Sequence, residues 1–255
     1  MAKNLRFILL GIQALITLLL TLLLIQGILN SVQQETWIYS RSHLIPSLIH
    51  LWVALIAALL LCFFYRANIG AEARVLPLLF LMISLGNIKI LPLYQQLSNH
   101  LLFRPYTISV LYHFALLFSS FLFLASGLFQ KSINMTKLGQ YSFFGAASAL
   151  LLSIMVPSST NSPIFLREAI ITNPLFLGVT ILINILAVLT FLIAMFEDHF
   201  SRQNFTRCLA FILMIIGNAL VTISQNTLYN IIGLVLYVAG TTTLILVTRT
   251  YHIWT

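Results

Sequence analysis

The sequence predicts an all-α polytopic membrane protein: a bundle of eight transmembrane helices with both termini cytoplasmic. Three observations carry that prediction. Of 255 residues, 60% are hydrophobic and only 7% charged, whereas a soluble globule carries about 25% charged residues. The apolar residues come in long unbroken runs, the pattern of membrane spans. Lysine and arginine fall almost entirely between those runs, where they set orientation.

The runs cover residues 6–29, 44–65, 75–94, 106–129, 138–156, 174–196, 208–224 and 228–248. Each approaches the ~20 residues that cross about 30 Å of hydrocarbon. The first follows Lys3 and Arg6, as in a signal peptide, but it is too long and no small-x-small cleavage site follows, so it reads as a retained span. The last two are separated by "QNT" at 225–227. Read as one interrupted segment, they would leave seven spans, but a single helix of that length is too long to cross once.

An amino terminus in the cytoplasm puts nine cations on that side: Lys3, Arg6, Arg66, Arg74, Lys131, Lys137, Arg202, Arg207 and Arg249. The opposite side holds Arg41, Arg104, Arg167 and, near a span end, Lys89. This asymmetry, with an even number of spans, makes both termini cytoplasmic. Trp37, Tyr39, Tyr94 and Tyr106 mark outer ends, and Tyr65, Tyr141, Phe200, Tyr251 and Trp254 mark inner ends, as expected for rings that favour the headgroup region. All seven prolines fall at or near span ends, where they are tolerated. Residues 1–255 read as a single transmembrane helical domain with no soluble domain.

Several function classes are disfavoured. The formal charge of +8 is distributed for orientation rather than on a face for a duplex, so no nucleic-acid partner is expected. No Asp or Glu lies inside a predicted span, which argues against a proton-coupled pump and leaves no carboxylate pair for acid–base chemistry. No phosphate loop, nucleophile elbow or HExxH is present, so no catalytic residue is assigned. Cys62 and Cys208 fall at inner ends without neighbouring histidines, and neither a disulfide nor a metal site is expected. A single haem between His50 and His113 is conceivable from their depth, but interfacial histidines are the simpler reading, and no cofactor is expected. Gln13, Thr17 and Thr21 share one side of span 1. Asn184 and Asn218 sit near the centres of spans 6 and 7, and Gly217, Gly233 and Gly240 line facing sides of spans 7 and 8. Such small and amide residues usually serve helix packing.

One stretch raises a sharper question. "LMISLGNIKILPLYQQ", residues 81–96, places Lys89 inside an apolar run. Counted from Tyr94, it lies roughly 8 Å below the outer headgroup level at 1.5 Å per residue. A lysine there can snorkel outward along its own stem. His50 and His113 fall at the same depth on the neighbouring spans 2 and 4, and consecutive helices are usually neighbours. With Trp52, Tyr112 and Arg104, they would form a ligand-binding cluster open to the outside, accompanied by Tyr94, Gln95 and His100. Glu35 or Glu168 would be counter-ions; failing those, an anion or lipid headgroup would serve.

The general plan is similar to that of multi-span sensory modules in bacterial signalling proteins, an architectural likeness only. The sequence therefore suggests an inner-membrane protein surrounded by lipid: a receptor-like sensor or accessory subunit that binds a ligand or lipid at its outer half and acts through a protein partner. The alternative is a small-solute or lipid transporter. A membrane enzyme is the least favoured.

Overall fold

The computed structural model describes residues 3–33, 37–64, 72–98, 103–129, 135–156, 174–197, 202–224 and 226–253. Among them every regular element is helical. In chain order these are α1 (Lys3–Gln33), α2 (Trp37–Phe64), α3 (Glu72–Gly86), a 3₁₀ segment (Asn87–Ile90), α4 (Leu91–Ser98), α5 (Pro105–Leu128), α6 (Met135–Met155), α7 (Pro174–Glu197), α8 (Arg202–Ile223) and α9 (Thr227–Ile253).

Seven helices are long and apolar enough to cross a membrane: α1, α2, α5, α6, α7, α8 and α9. The remaining pass is composite, made of α3, the 3₁₀ segment and α4 in direct succession. The chain is a multi-pass helical membrane protein, and the last two runs are separate helices. Asn226 starts the second of them, accepting the Leu228 N–H on its side-chain oxygen at 3.0 Å, as an N-cap does.

Helix ends depart from the apolar runs in instructive ways. Pro46 and Pro77 lie inside α2 and α3, not at their ends as the hydropathy pattern suggests, because both helices begin in polar sequence before the apolar run. The third pass extends to Ser98 rather than stopping at Tyr94, and it is interrupted on the way. The interruption has a local cause. Pro92 has no N–H to give the Ile88 carbonyl; Leu91 donates to that carbonyl instead, one residue early, which is the 3₁₀ pattern. At α5, Arg104 is extended with φ −64° and ψ 134°, the conformation a following proline favours, and Pro105 occupies the first helical position.

The helices pack largely in sequence order: α1 with α2 and α3, α5 with α3, α6 and α7, α7 with α8, and α8 with α9; α9 returns to pack on α2. The interior holds Phe80, Tyr112, Phe123, Phe176, Phe191, Phe211 and Tyr237, all fully buried. Phe191 and Phe211 stack at 4.7 Å, joining α7 to α8. Large apolar side chains face outward on α1, α6 and α7, among them Leu15, Leu22, Phe143, Leu151, Leu182 and Ile193. That surface suits hydrocarbon rather than water.

The closest helix approach is the α8–α9 pair. A Cβ on Gly240 would stand 2.7 Å from the Ala210 carbonyl oxygen, and one on Gly217 would stand 2.7 Å from the Gly233 carbonyl oxygen. The three glycines noted in the sequence thus share one seam, where the two backbones touch.

Candidate functional site at a buried polar junction

The interrupted third pass carries two polar residues in its 3₁₀ turn, Asn87 and Lys89, and both face the bundle. The Asn87 amide nitrogen donates to the Ile83 carbonyl at 3.1 Å and lies 3.3 Å from His50 Nδ1. The backbone acceptor fixes which end of the amide is nitrogen. The Asn87 amide oxygen lies 3.5 Å from the same His50 Nδ1, so this one amide can hold either tautomer of the ring. His50 is fully buried, and its Nε2 has no hydrogen-bond partner among the described residues.

The other side of the His50 ring meets α9. Tyr237 stands against it edge-on, with ring centroids 4.5 Å apart. The Tyr237 hydroxyl is also buried and without a described partner. Lys89 stands two residues beyond Asn87 in the same 3₁₀ segment.

Lys89 does not reach for the headgroups. Its ammonium donates to the Val221 carbonyl on α8. The next carbonyl, Thr222, accepts the Tyr112 hydroxyl of α5 at 2.8 Å. Val221 and Thr222 lie in the last turn of α8, where carbonyls have no intrahelical N–H to accept. Two side chains from two other passes therefore cap the α8 carboxyl end inside the bundle, and one of them is a cation placed at the negative end of the helix dipole.

A second branch of polar contacts runs toward α1. Gln13 donates from Nε2 to Ser84 Oγ at 3.0 Å, and Ser84 lies one turn before Asn87. Gln13 Oε1 and Thr17 Oγ1 are buried with no described partner, as are the side-chain oxygens of Asn218 on α8 and Asn230 on α9. Near the end of the composite pass, the Tyr94 hydroxyl donates to Gln26 Oε1 at 3.0 Å, holding α4 on α1.

The six residues proposed from sequence fall in different places. His50, Lys89 and Tyr112 converge on the junction. His113 is buried beside Tyr112 but faces α7: its ring meets Phe176 edge-on at 4.8 Å, and Nδ1 donates to the Ser109 carbonyl at 2.7 Å. His50 and His113 thus have different neighbours and do not form the facing pair a single haem would need. Trp52 is 38% exposed on the outer side of α2. Arg104 is exposed at the start of α5. Glu35, His100 and Glu168 lie outside the described residues.

The sequence reading missed Asn87, Ser84, Tyr237 and the α8 carbonyls. Asn87 had a local signal, two positions before Lys89 in the same apolar run. Tyr237 and the carbonyls had none, since their role depends on which helices meet. No protein-family model matches this chain, and no curated protein or solved structure matches it either.

Proposed function

We propose that this membrane protein is a receptor-like sensor or accessory subunit that takes a ligand at the His50–Asn87–Lys89–Tyr237 junction and passes the change to a protein partner. One observation supports this reading above the others. Asn87 and Lys89 sit on the 3₁₀ interruption of the third pass, and a short 3₁₀ stretch within a helix often marks a hinge. A ligand that competes for the Asn87 or Lys89 hydrogen bonds would shift the balance between two arrangements of that turn. A shift of this kind is all that signalling through a partner requires.

The membrane we assign is the bacterial-type inner membrane, with both termini cytoplasmic, on the strength of the cation asymmetry. The junction would then lie in the outer half. A reporter fused after Thr255 is expected to be cytoplasmic, and one inserted near Asn161 external. Alkaline phosphatase activity from the carboxyl-terminal fusion would reverse the assignment.

A small-solute or lipid transporter is the second reading. It is favoured by the spread of buried polar oxygens without described partners, from Gln13 and Thr17 on α1 to Asn230 on α9. The two readings separate experimentally. Solute or lipid movement by the protein alone in proteoliposomes supports transport. A partner retained on purification in native lipid, and lost on Asn87→Leu while the protein stays folded, supports the sensor.

A further inference from the structure

We propose that the junction binds a compact monovalent anion, chloride or the carboxylate head of a small or fatty acid, between Lys89, His50 and Tyr237. This names the ligand class of the site just described and rests on that reading only for the site's purpose.

The charge count comes first. The Lys89 ammonium has three N–H donors, and its described acceptor is one neutral carbonyl, that of Val221. The apolar runs contain no Asp or Glu. Glu72, at the start of the same pass, lies seventeen residues away along the chain, about 25 Å at helical rise. Among the described residues this half-buried ammonium thus meets a carbonyl and no carboxylate; a cation so placed is costly, and one negative charge beside it relieves most of that cost.

The hydrogen-bond count points the same way. Asn87 engages His50 at Nδ1 and leaves Nε2, which is buried with no described partner. The Tyr237 hydroxyl, against the same imidazole, has none either. Among the described residues, the groups left over at the meeting of α2, the 3₁₀ turn and α9 are therefore one ammonium, one imidazole nitrogen that can carry a proton and one phenol O–H. A ligand matching them accepts hydrogen bonds from several directions and carries negative charge. A cation is repelled by Lys89, and a neutral polar molecule leaves the charge unbalanced. Size is limited by packing: His50 and Tyr237 are fully buried, and α8 and α9 touch through their backbones beside Tyr237. That favours a single compact head over a phosphate ester or a polyanion.

The test uses the full chain in phosphatidylcholine nanodiscs. Its unfolding midpoint is followed against sodium chloride, sodium acetate and sodium oleate, with sodium sulfate matching ionic strength. The expected result is a saturable rise with at least one of the three monovalent anions and none with sulfate. Chloride identifies an inorganic ion, acetate a free small acid, and oleate alone a carboxylate delivered from the lipid phase. Lys89→Met should abolish the rise and Lys89→Arg should keep it. Tyr237→Phe, which removes only a hydroxyl, should raise the half-saturating concentration about tenfold. Lys137→Gln, on the exposed side of α6, should change nothing. If Lys89→Met does not fold, Tyr237→Phe decides. No saturable rise with any of the three anions overturns the proposal, as does the same rise at unchanged concentration in Tyr237→Phe. Transport of solute by the protein alone would remove the sensor reading without touching the anion site. Partner release by a neutral ligand, with no anion binding, would remove the anion site and keep the sensor.

Discussion

Two regions of the bundle hold helices together by opposite means. Along the α8–α9 seam, Gly217, Gly233 and Gly240 remove side chains so that backbones touch. At the junction around the third pass, Lys89, Tyr112, His50 and Asn87 insert long polar side chains between helices. The first kind of contact depends on shape and tolerates almost no added atom. The second depends on hydrogen bonds, each of modest net worth, and several of its groups have no partner among the described residues. A region of unpartnered polar groups can change partners, whereas a glycine seam can only open or stay shut. Rigidity and responsiveness are thus separated, and α8 takes part in both.

Substitutions can break this contrast, and they rank by expected effect. Gly217→Leu should be the most damaging, because its first added atom already collides with α9 backbone. Separating the helices is expected to cost about 3 kcal/mol or more, read as loss of a monodisperse peak in mild detergent. A well-behaved Gly217→Leu protein would mean that the seam is not the rigid part. Lys89→Met should come next, at about 1–3 kcal/mol when compared in saturating anion, where the lysine charge is already balanced and the substitution leaves the α8 carbonyl unpaired. Denaturant or thermal unfolding in detergent measures it, and an unchanged midpoint would remove the capping role. Tyr112→Phe removes a neutral hydrogen bond to the next carbonyl and should cost about 1 kcal/mol. Gly139→Ala should be the mildest. Nothing lies within 4 Å of a Cβ there, and alanine favours helix over glycine, so a gain of up to about 1 kcal/mol is expected. A destabilised Gly139→Ala protein would show that glycine matters here beyond close approach.

What the sequence made legible follows from what is local. Apolar runs and the glycine spacing are local properties, and the structure contains the corresponding helices and seam. Helix ends were less accurate, because polar turns such as Glu72–Arg74 extend a helix past its apolar run. The break at Asn87–Ile90 has its local cause in Pro92, but only the backbone shows that Leu91 takes over the Ile88 carbonyl. Position along an apolar run is readable from sequence; rotation about its axis is not. That is why His50 and His113, placed together by counting along their runs, face α9 and α7 respectively. The acceptor of Lys89 lies 132 residues away on a backbone carbonyl, and no side-chain pattern announces a carbonyl.

The 3₁₀ turn also has an electrical consequence. Lys89 falls within an apolar run, and the apolar runs contain no acid. Moving one elementary charge across the whole membrane potential is worth about 2.3 kcal/mol per 100 mV. A rearrangement that carries Lys89 through a tenth of that field would therefore shift its own equilibrium by about 0.2 kcal/mol per 100 mV. A bound anion travelling with the lysine would cancel that dependence. Rearrangement of the empty turn would thus be weakly voltage-dependent, and that of the occupied turn electrically silent.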